Sequence, residues 1–158
     1  MRTNTAYTKD MPAEYARWIN RELDADIFAV ATLRQFVRTS DGTMVRGNRD
    51  RYDAAAQQFM SLLSKRVYGK TMWRRFKRQL PVAITLEGDG QTKLWHLNLS
   101  LRCPSHLDPE RFEAHFRKEW EAFEWGMPDV YFDRRTGDCT AYSLKDGPDA
   151  LLTESLSF

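Results

Sequence analysis

Hydrophobic and polar positions alternate most regularly between Pro81 and Arg102. Val82, Ile84 and Leu86 alternate with Ala83, Thr85 and Glu87; after Gly88-Asp89-Gly90, Trp95, Leu97, Leu99 and Leu101 alternate with His96, Asn98, Ser100 and Arg102. A period of two puts successive side chains on opposite faces, which predicts two half-buried strands. Asp-Gly between them is a turn signal, because glycine tolerates positive φ. One face of this hairpin is aliphatic and has to be covered. The other carries Glu87, His96 and Asn98.

The remaining chain supplies elements to cover it. Pro12 to Leu23 places Tyr15, Trp18 and Ile19 at helical spacing, a short amphipathic helix. Asp26 to Thr39 is rich in β-formers and predicts one buried strand, with Thr32 and Arg34 on one side, broken by Ser40-Asp41-Gly42. Asn48 is suited to cap a long helix with Tyr52, Ala55, Phe59, Leu62 and Leu63 in one stripe, closed at Gly69. Asp108 and Pro109 open a second helix lined by Phe112, Phe116, Trp120 and Phe123, beside which His115 reads as structural. Pro128 to Arg134 predicts a last strand. Asp138 to Asp146 predicts a short helix that sets Tyr142 and Lys145 on one face.

The order is βαββαβ, so the expected class is α+β: a ferredoxin-like, RRM-like split βαβ sheet, helices on one face and the other open. In this fold a bare sheet face commonly receives nucleic acid. The expected organisation is an arm and short helix over 1–25, the domain over 26–147, and a tail over 148–158 without a clear signal.

Composition changes this picture little. With 158 residues, 42% hydrophobic and 13% aromatic, the chain can bury one real core. Its 24 basic and 22 acidic residues leave a net charge of +2, too balanced to demand a polyanion. Their placement matters more. Lys70, Arg74, Arg75, Lys77 and Arg78 interleave with Trp73 and Phe76, a combination suited to phosphates and stacked bases. An amphipathic helix with Trp73 and Phe76 in the core explains the same pattern equally well. Arg34 and Arg102 join the candidate nucleic-acid contacts. Cys103 and Cys139 fit no metal or redox spacing and are expected as reduced thiols. No run approaches the ~18 apolar residues of a membrane helix, and the N-terminus lacks an apolar secretion segment, so an intracellular, soluble protein is expected.

Glu87, His96 and Asn98 carry the candidate chemistry. A carboxylate, an imidazole and an amide oxygen brought together on one face suit a hard divalent cation. Any one of them alone reads as a solvated strand residue; the set of three is what points to a site.

At these residues the chain resembles a known family. Glu87 to Asn98, E-G-D-G followed by H-L-N, is similar to the second motif of Rep-type HUH endonucleases, in the variant where an amide replaces the second histidine. Circular single-stranded DNA viruses such as circoviruses show a glutamate at this separation before His-Leu-Gln. Tyr142 to Gly147 (YSLKDG) resembles their third motif, and Phe28 to Arg34 loosely resembles the first, so the likeness spans roughly 26–147. Asn98 stands where His or Gln is usual, and the viral helicase domain is absent, which implies a nuclease domain or a compact plasmid, phage or mobile-element initiator.

The resemblance implies a sequence-specific enzyme that nicks and joins single-stranded DNA to initiate rolling-circle replication. Mn²⁺ or Mg²⁺ would sit at Glu87, His96 and Asn98. Tyr142 would attack the phosphodiester to give a 5′-phosphotyrosine and a free 3′-OH, assisted by Lys145. A host or element-encoded helicase would be a partner. Two other readings stay open: a non-catalytic RRM-like module holding single-stranded nucleic acid, and a regulatory ferredoxin-like domain with no such affinity. Glu87 on the open face argues against simple binding, because an unpaired carboxylate repels phosphate unless a cation sits between them.

Overall fold

A computed structural model describes residues 11–134, 150–152 and 155–157. The arm, the stretch predicted as a helix at 138–146 with Tyr142, Lys145 and Cys139, and most of the tail lie outside the described residues. In chain order the elements are α1 (Met11–Leu23), β1 (Ile27–Leu33), β2 (Phe36–Arg38), β3 (Met44–Arg46), α2 (Arg49–Tyr68), α3 (Lys70–Phe76), β4 (Val82–Glu87), β5 (His96–Leu101), α4 (Pro109–Ala122) and β6 (Gly126–Asp133).

Four strands form an antiparallel sheet in the order β4-β5-β1-β6. With α2 after β1 and α4 after β5, this is the expected α+β, ferredoxin-like arrangement. Ile27, Ala29, Ala31 and Leu33 of β1 share one face with Val82, Ile84, Leu86, Leu97, Leu99 and Leu101. The apolar stripes of α2 and α4 cover that face. Phe59 of α2 meets Phe116 and Trp120 of α4 edge-on, at ring separations of 5.1 and 4.8 Å.

The helix ends follow their sequence signals. Asn48 Oδ1 accepts the Arg51 N–H at 2.8 Å, and Asp108 Oδ1 accepts the Arg111 N–H at 2.9 Å. Gly69 ends α2 with φ 87°, its N–H bonded to Lys65 O. Gly126 opens β6 hard against α4: a Cβ there would lie 2.2 Å from the Trp120 carbonyl oxygen, so only glycine fits.

Two expectations need correction. The stretch 26–39 is two strands: β1 joins the main sheet, whereas β2 turns away and pairs with β3 through the Ser40-Asp41-Gly42 turn. β-forming composition reports extended backbone but not which sheet it enters. The face opposite α2 and α4 is not bare, because Thr85, Asn98 and Ser100 are buried; at one side α1 packs Ile19 and Leu23 with Ala83 and Leu151. The tail also has a structural role. Leu152 N–H donates to Ile84 O at 2.9 Å, and Ser157 and Val82 exchange backbone hydrogen bonds of 2.9 and 2.7 Å. These contacts cover the β4 edge, which would otherwise present unpaired donors and acceptors.

Candidate metal and nucleic-acid site

The register places four residues in one row across the second face. Glu87 lies opposite His96, and His96 opposite Thr32. Thr32 Oγ1 donates to Asp129 Oδ2 of β6 at 3.1 Å, completing the row. One row inward, Asn98 lies opposite Thr85. Period-two alternation on paired strands forces this convergence.

The three candidate ligands meet at one carboxylate oxygen. His96 Nε2 is 3.2 Å and Asn98 Nδ2 3.1 Å from Glu87 Oε2, while Asn98 Nδ2 also donates to Thr85 Oγ1 at 3.2 Å. Asn98 is 1% exposed, and the Glu87 and His96 side chains are only 11% and 12% exposed. His96 Nδ1 lies 3.0 Å from the Leu94 carbonyl oxygen, which can only accept, so Nδ1 carries a proton. Nε2 then faces a carboxylate oxygen, also an acceptor. That contact is favourable with a second proton on the ring or with a cation between the two groups.

The β4–β5 loop brings in a fourth participant, Lys93, whose ammonium pairs with Glu87 Oε1. Asp89 shapes this loop: its Oδ1 accepts the N–H groups of Gln91, Thr92 and Lys93 at 2.7, 2.9 and 3.0 Å, and its Oδ2 accepts the Thr92 hydroxyl. The Thr92 hydroxyl and these N–H groups hold its carboxyl well below the usual range. Gly88 at φ 122° and Gly90 at φ 74° give the loop the backbone it needs. Glu87 is therefore paired, which removes the argument that an unpaired carboxylate would repel nucleic acid.

A divalent cation fits this donor set with one adjustment. Glu87 and His96 offer an oxygen and a nitrogen at the same point, and the Leu94 carbonyl fixes the ring as metal-binding histidines usually require. Asn98 points its amide nitrogen at Glu87, so ligation by its oxygen needs a rotation of the amide. No cluster of three His, Cys, Asp or Glu occurs among the described residues.

The other candidates are spread over the molecule. Lys70, Trp73, Arg74 and Arg75 are on α3, with Lys77 and Arg78 just after it, where the chain leads into the first residue of β4. Arg102 follows β5 at the same end, its N–H directed at Pro81 O. Glu87 is at the far end of β4, about 17 Å along the strand. Arg34, immediately after β1, is the one candidate contact at the Glu87 end. The core placement considered for Phe76 does not hold, since it is 59% exposed, whereas Trp73 is half-buried with its indole nitrogen shielded from solvent; no residue of α3 is fully buried. Guanidinium and ammonium groups lie over the rings, Arg75 over Phe76 at 5.4 Å, Lys65 over Trp73 at 5.7 Å and Arg78 over Tyr68 at 4.7 Å. Lys70, Thr71, Arg74 and Arg75 line a groove of ≈ 440 Å³.

Lys93, Thr85 and Asp129 escaped the sequence reading. Thr85 was recoverable, being two residues before Glu87 on the same face; Lys93 was not, because loop geometry alone returns it. His106 and His115 are remote: His106 Nε2 contacts Val67 O at 3.0 Å, and burial together with Arg66 lowers the His115 pKa. Burial raises that of the free thiol Cys103. No helix among the described residues is long and apolar enough to cross a membrane. No family model matches the chain, and neither a curated protein nor a solved structure matches it.

Proposed function

We propose that this protein is a metal-dependent endonuclease that nicks and rejoins single-stranded DNA, acting inside the cell in rolling-circle initiation with a helicase as partner. The observation that carries the reading is the meeting of Glu87, His96 and Asn98 at one oxygen, with the His96 ring held so that Nε2 faces the carboxylate. Glu87, His96 and, after amide rotation, Asn98 would hold Mn²⁺ or Mg²⁺, with the imidazole favouring Mn²⁺. Bound there, the cation would polarise the scissile phosphate.

The chain's own residues supply the rest. Tyr142, from the third-motif likeness, attacks phosphorus; the bond to the 3′ oxygen breaks, and that oxygen leaves as a 3′-OH. A tyrosine hydroxyl, with an ordinary pKa near ~10, needs its developing charge stabilised, the role given to Lys145. The 5′-phosphotyrosine keeps the phosphodiester's energy, so the reverse attack rejoins the strand.

A second reading has its own support. Lys93 and Asn98 already satisfy Glu87 within the protein, a network complete without a metal, as a non-catalytic RRM-like binding module would have. Incubation with a fluorescent single-stranded DNA library and Mn²⁺ on denaturing gels separates the two. The nuclease reading expects a detergent-stable protein–DNA adduct mapping to Tyr142, absent from Tyr142→Phe. His96→Ala should lose cleavage and keep most of its DNA affinity. A native-gel shift without cleavage by wild type would favour the binding module, and normal cutting by His96→Ala would sink the metal site.

A further inference from the structure

The β2–β3 hairpin is the element that the reading above leaves without a task. Its register pairs Phe36 with Arg46, Val37 with Val45 and Arg38 with Met44. Val37 and Val45 face the core. Phe36, Arg38, Met44 and Arg46 all point outward, with Phe36 51% exposed although the Arg46 guanidinium lies 5.9 Å from its centroid. An exposed phenylalanine and methionine between two arginines is a costly way to finish a hairpin that has no partner to meet.

The hairpin is firmly mounted. Tyr52 donates its hydroxyl to Arg34 O at 3.1 Å, Gly47 N–H donates to Gln35 O at 2.9 Å, and Arg51 Nη1 donates to Arg46 O at 3.0 Å. Gly47 packs so closely on Tyr52 that a Cβ would lie 2.0 Å from its hydroxyl oxygen. The hairpin also stands at the Glu87 end of the sheet. Thr32 is level with His96, and Phe36 is four residues further on, within about 14 Å of chain.

We propose that the outer face of this hairpin is a single-stranded DNA contact, where Phe36 stacks on a base while Arg38 and Arg46 bind the flanking phosphates. The direction of the strand, from the hairpin onto the Glu87–His96 row, rests on the nuclease reading. Charge supports a polyanion: among the described residues Arg34, Arg38 and Arg46 form no ion pair. The hairpin's one carboxylate, Asp41, is at the tip and occupied by the Thr39 hydroxyl and the Thr43 N–H. The aromatic ring selects among polyanions. Stacking on Phe36 needs an unpaired base, which a duplex does not offer and an acidic peptide lacks.

The test measures binding of a short fluorescein-labelled oligo(dT) by anisotropy in EDTA, so that no cleavage intervenes. Phe36→Ala should bind at least about fivefold more weakly and Phe36→Trp as well as wild type or better. Arg38→Ala/Arg46→Ala should flatten the dependence of log affinity on log salt by about 1.4. Photocrosslinking of wild type to an oligonucleotide carrying 5-iododeoxyuridine, which needs no variant to fold, should label Phe36. Three results would each overturn the proposal: no oligo(dT) binding by wild type, Phe36→Ala binding equal to wild type with crosslinks elsewhere, or displacement by polyglutamate as effective as by unlabelled oligo(dT). Should the hairpin effects appear while Mn²⁺ elicits no cleavage, the nuclease reading fails and the contact stands.

Discussion

At the residue scale, the candidate site turns on the two oxygens of Glu87. Oε2 faces His96 and Asn98, and Oε1 is held by Lys93. A cation at His96 would share the carboxylate with an ammonium that opposes its charge. Lys93 is largely solvent-exposed, so this competition is worth little. Lys93→Met should therefore tighten Mn²⁺ binding by about two- to fivefold, read by titration calorimetry. Weaker binding would mean that the cation does not use Glu87. The buried Tyr52 shows the opposite environment: burial pushes its hydroxyl up to about 12, and it stays a donor to Arg34 O.

At the scale of elements, the β2–β3 turn carries a pH dependence. Hydrogen bonds from the Thr39 hydroxyl and the Thr43 N–H lower the Asp41 pKa from 3.8 to about 2. A carboxyl depressed by folding contributes stability that is whole above its unfolded value and lost as pH falls through the folded one. The turn should hold at neutral pH and loosen between about pH 4 and pH 2. Amide protection factors at Thr43 and Gly42, corrected for the intrinsic exchange rate at each pH, should fall over that window in wild type and vary far less in Asp41→Asn, whose amide does not titrate. Parallel acid profiles for the two proteins would show that Asp41 does not hold the turn.

At the scale of the whole molecule, two features follow from how the sheet ends. The β4 edge is covered by Leu151, Leu152 and Ser157; the two leucines are buried, and Leu152 and Ser157 take up the backbone groups of Ile84 and Val82. Deleting residues 150–158 should cost at least about 2 kcal/mol in lost apolar burial, and the exposed edge should promote association. Thermal denaturation and light scattering report these effects, and an equally stable, monomeric truncation would show that the segment is dispensable. The second feature is the separation of the α3 cluster from the Glu87 row. DNA gripped at α3 would belong to a different part of the substrate from the strand at Glu87. Arg74→Ala/Arg75→Ala should flatten the salt dependence of DNA binding by roughly 0.7 per lost phosphate contact while leaving Mn²⁺ affinity at Glu87 unchanged. An unaltered slope would make α3 an ordinary solvated helix.

What the sequence determined by itself were the features set by local physics. Period-two alternation at Val82–Leu101 defines both strands and both faces, the 3.6-residue stripes define α2 and α4, and Asn48, Asp108 and Gly69 mark their ends. Because the strands pair antiparallel, the same alternation brings Glu87, His96 and Asn98 together. Tertiary structure alone decided what depends on distant chain. Alternation tells which side chains share a face but not what lies over it, so the burial of Asn98 had no local signal. A run of β-formers does not reveal where the chain leaves one sheet for another, so β2 and β3 were hidden within a single predicted strand. Lys93 reaches Glu87 only through the loop that Asp89 organises. The basic segment 70–79 was legible as a cluster, and its place at the opposite end of β4 from Glu87 follows from chain order, since the segment leads into the first residue of β4 and Glu87 is the last.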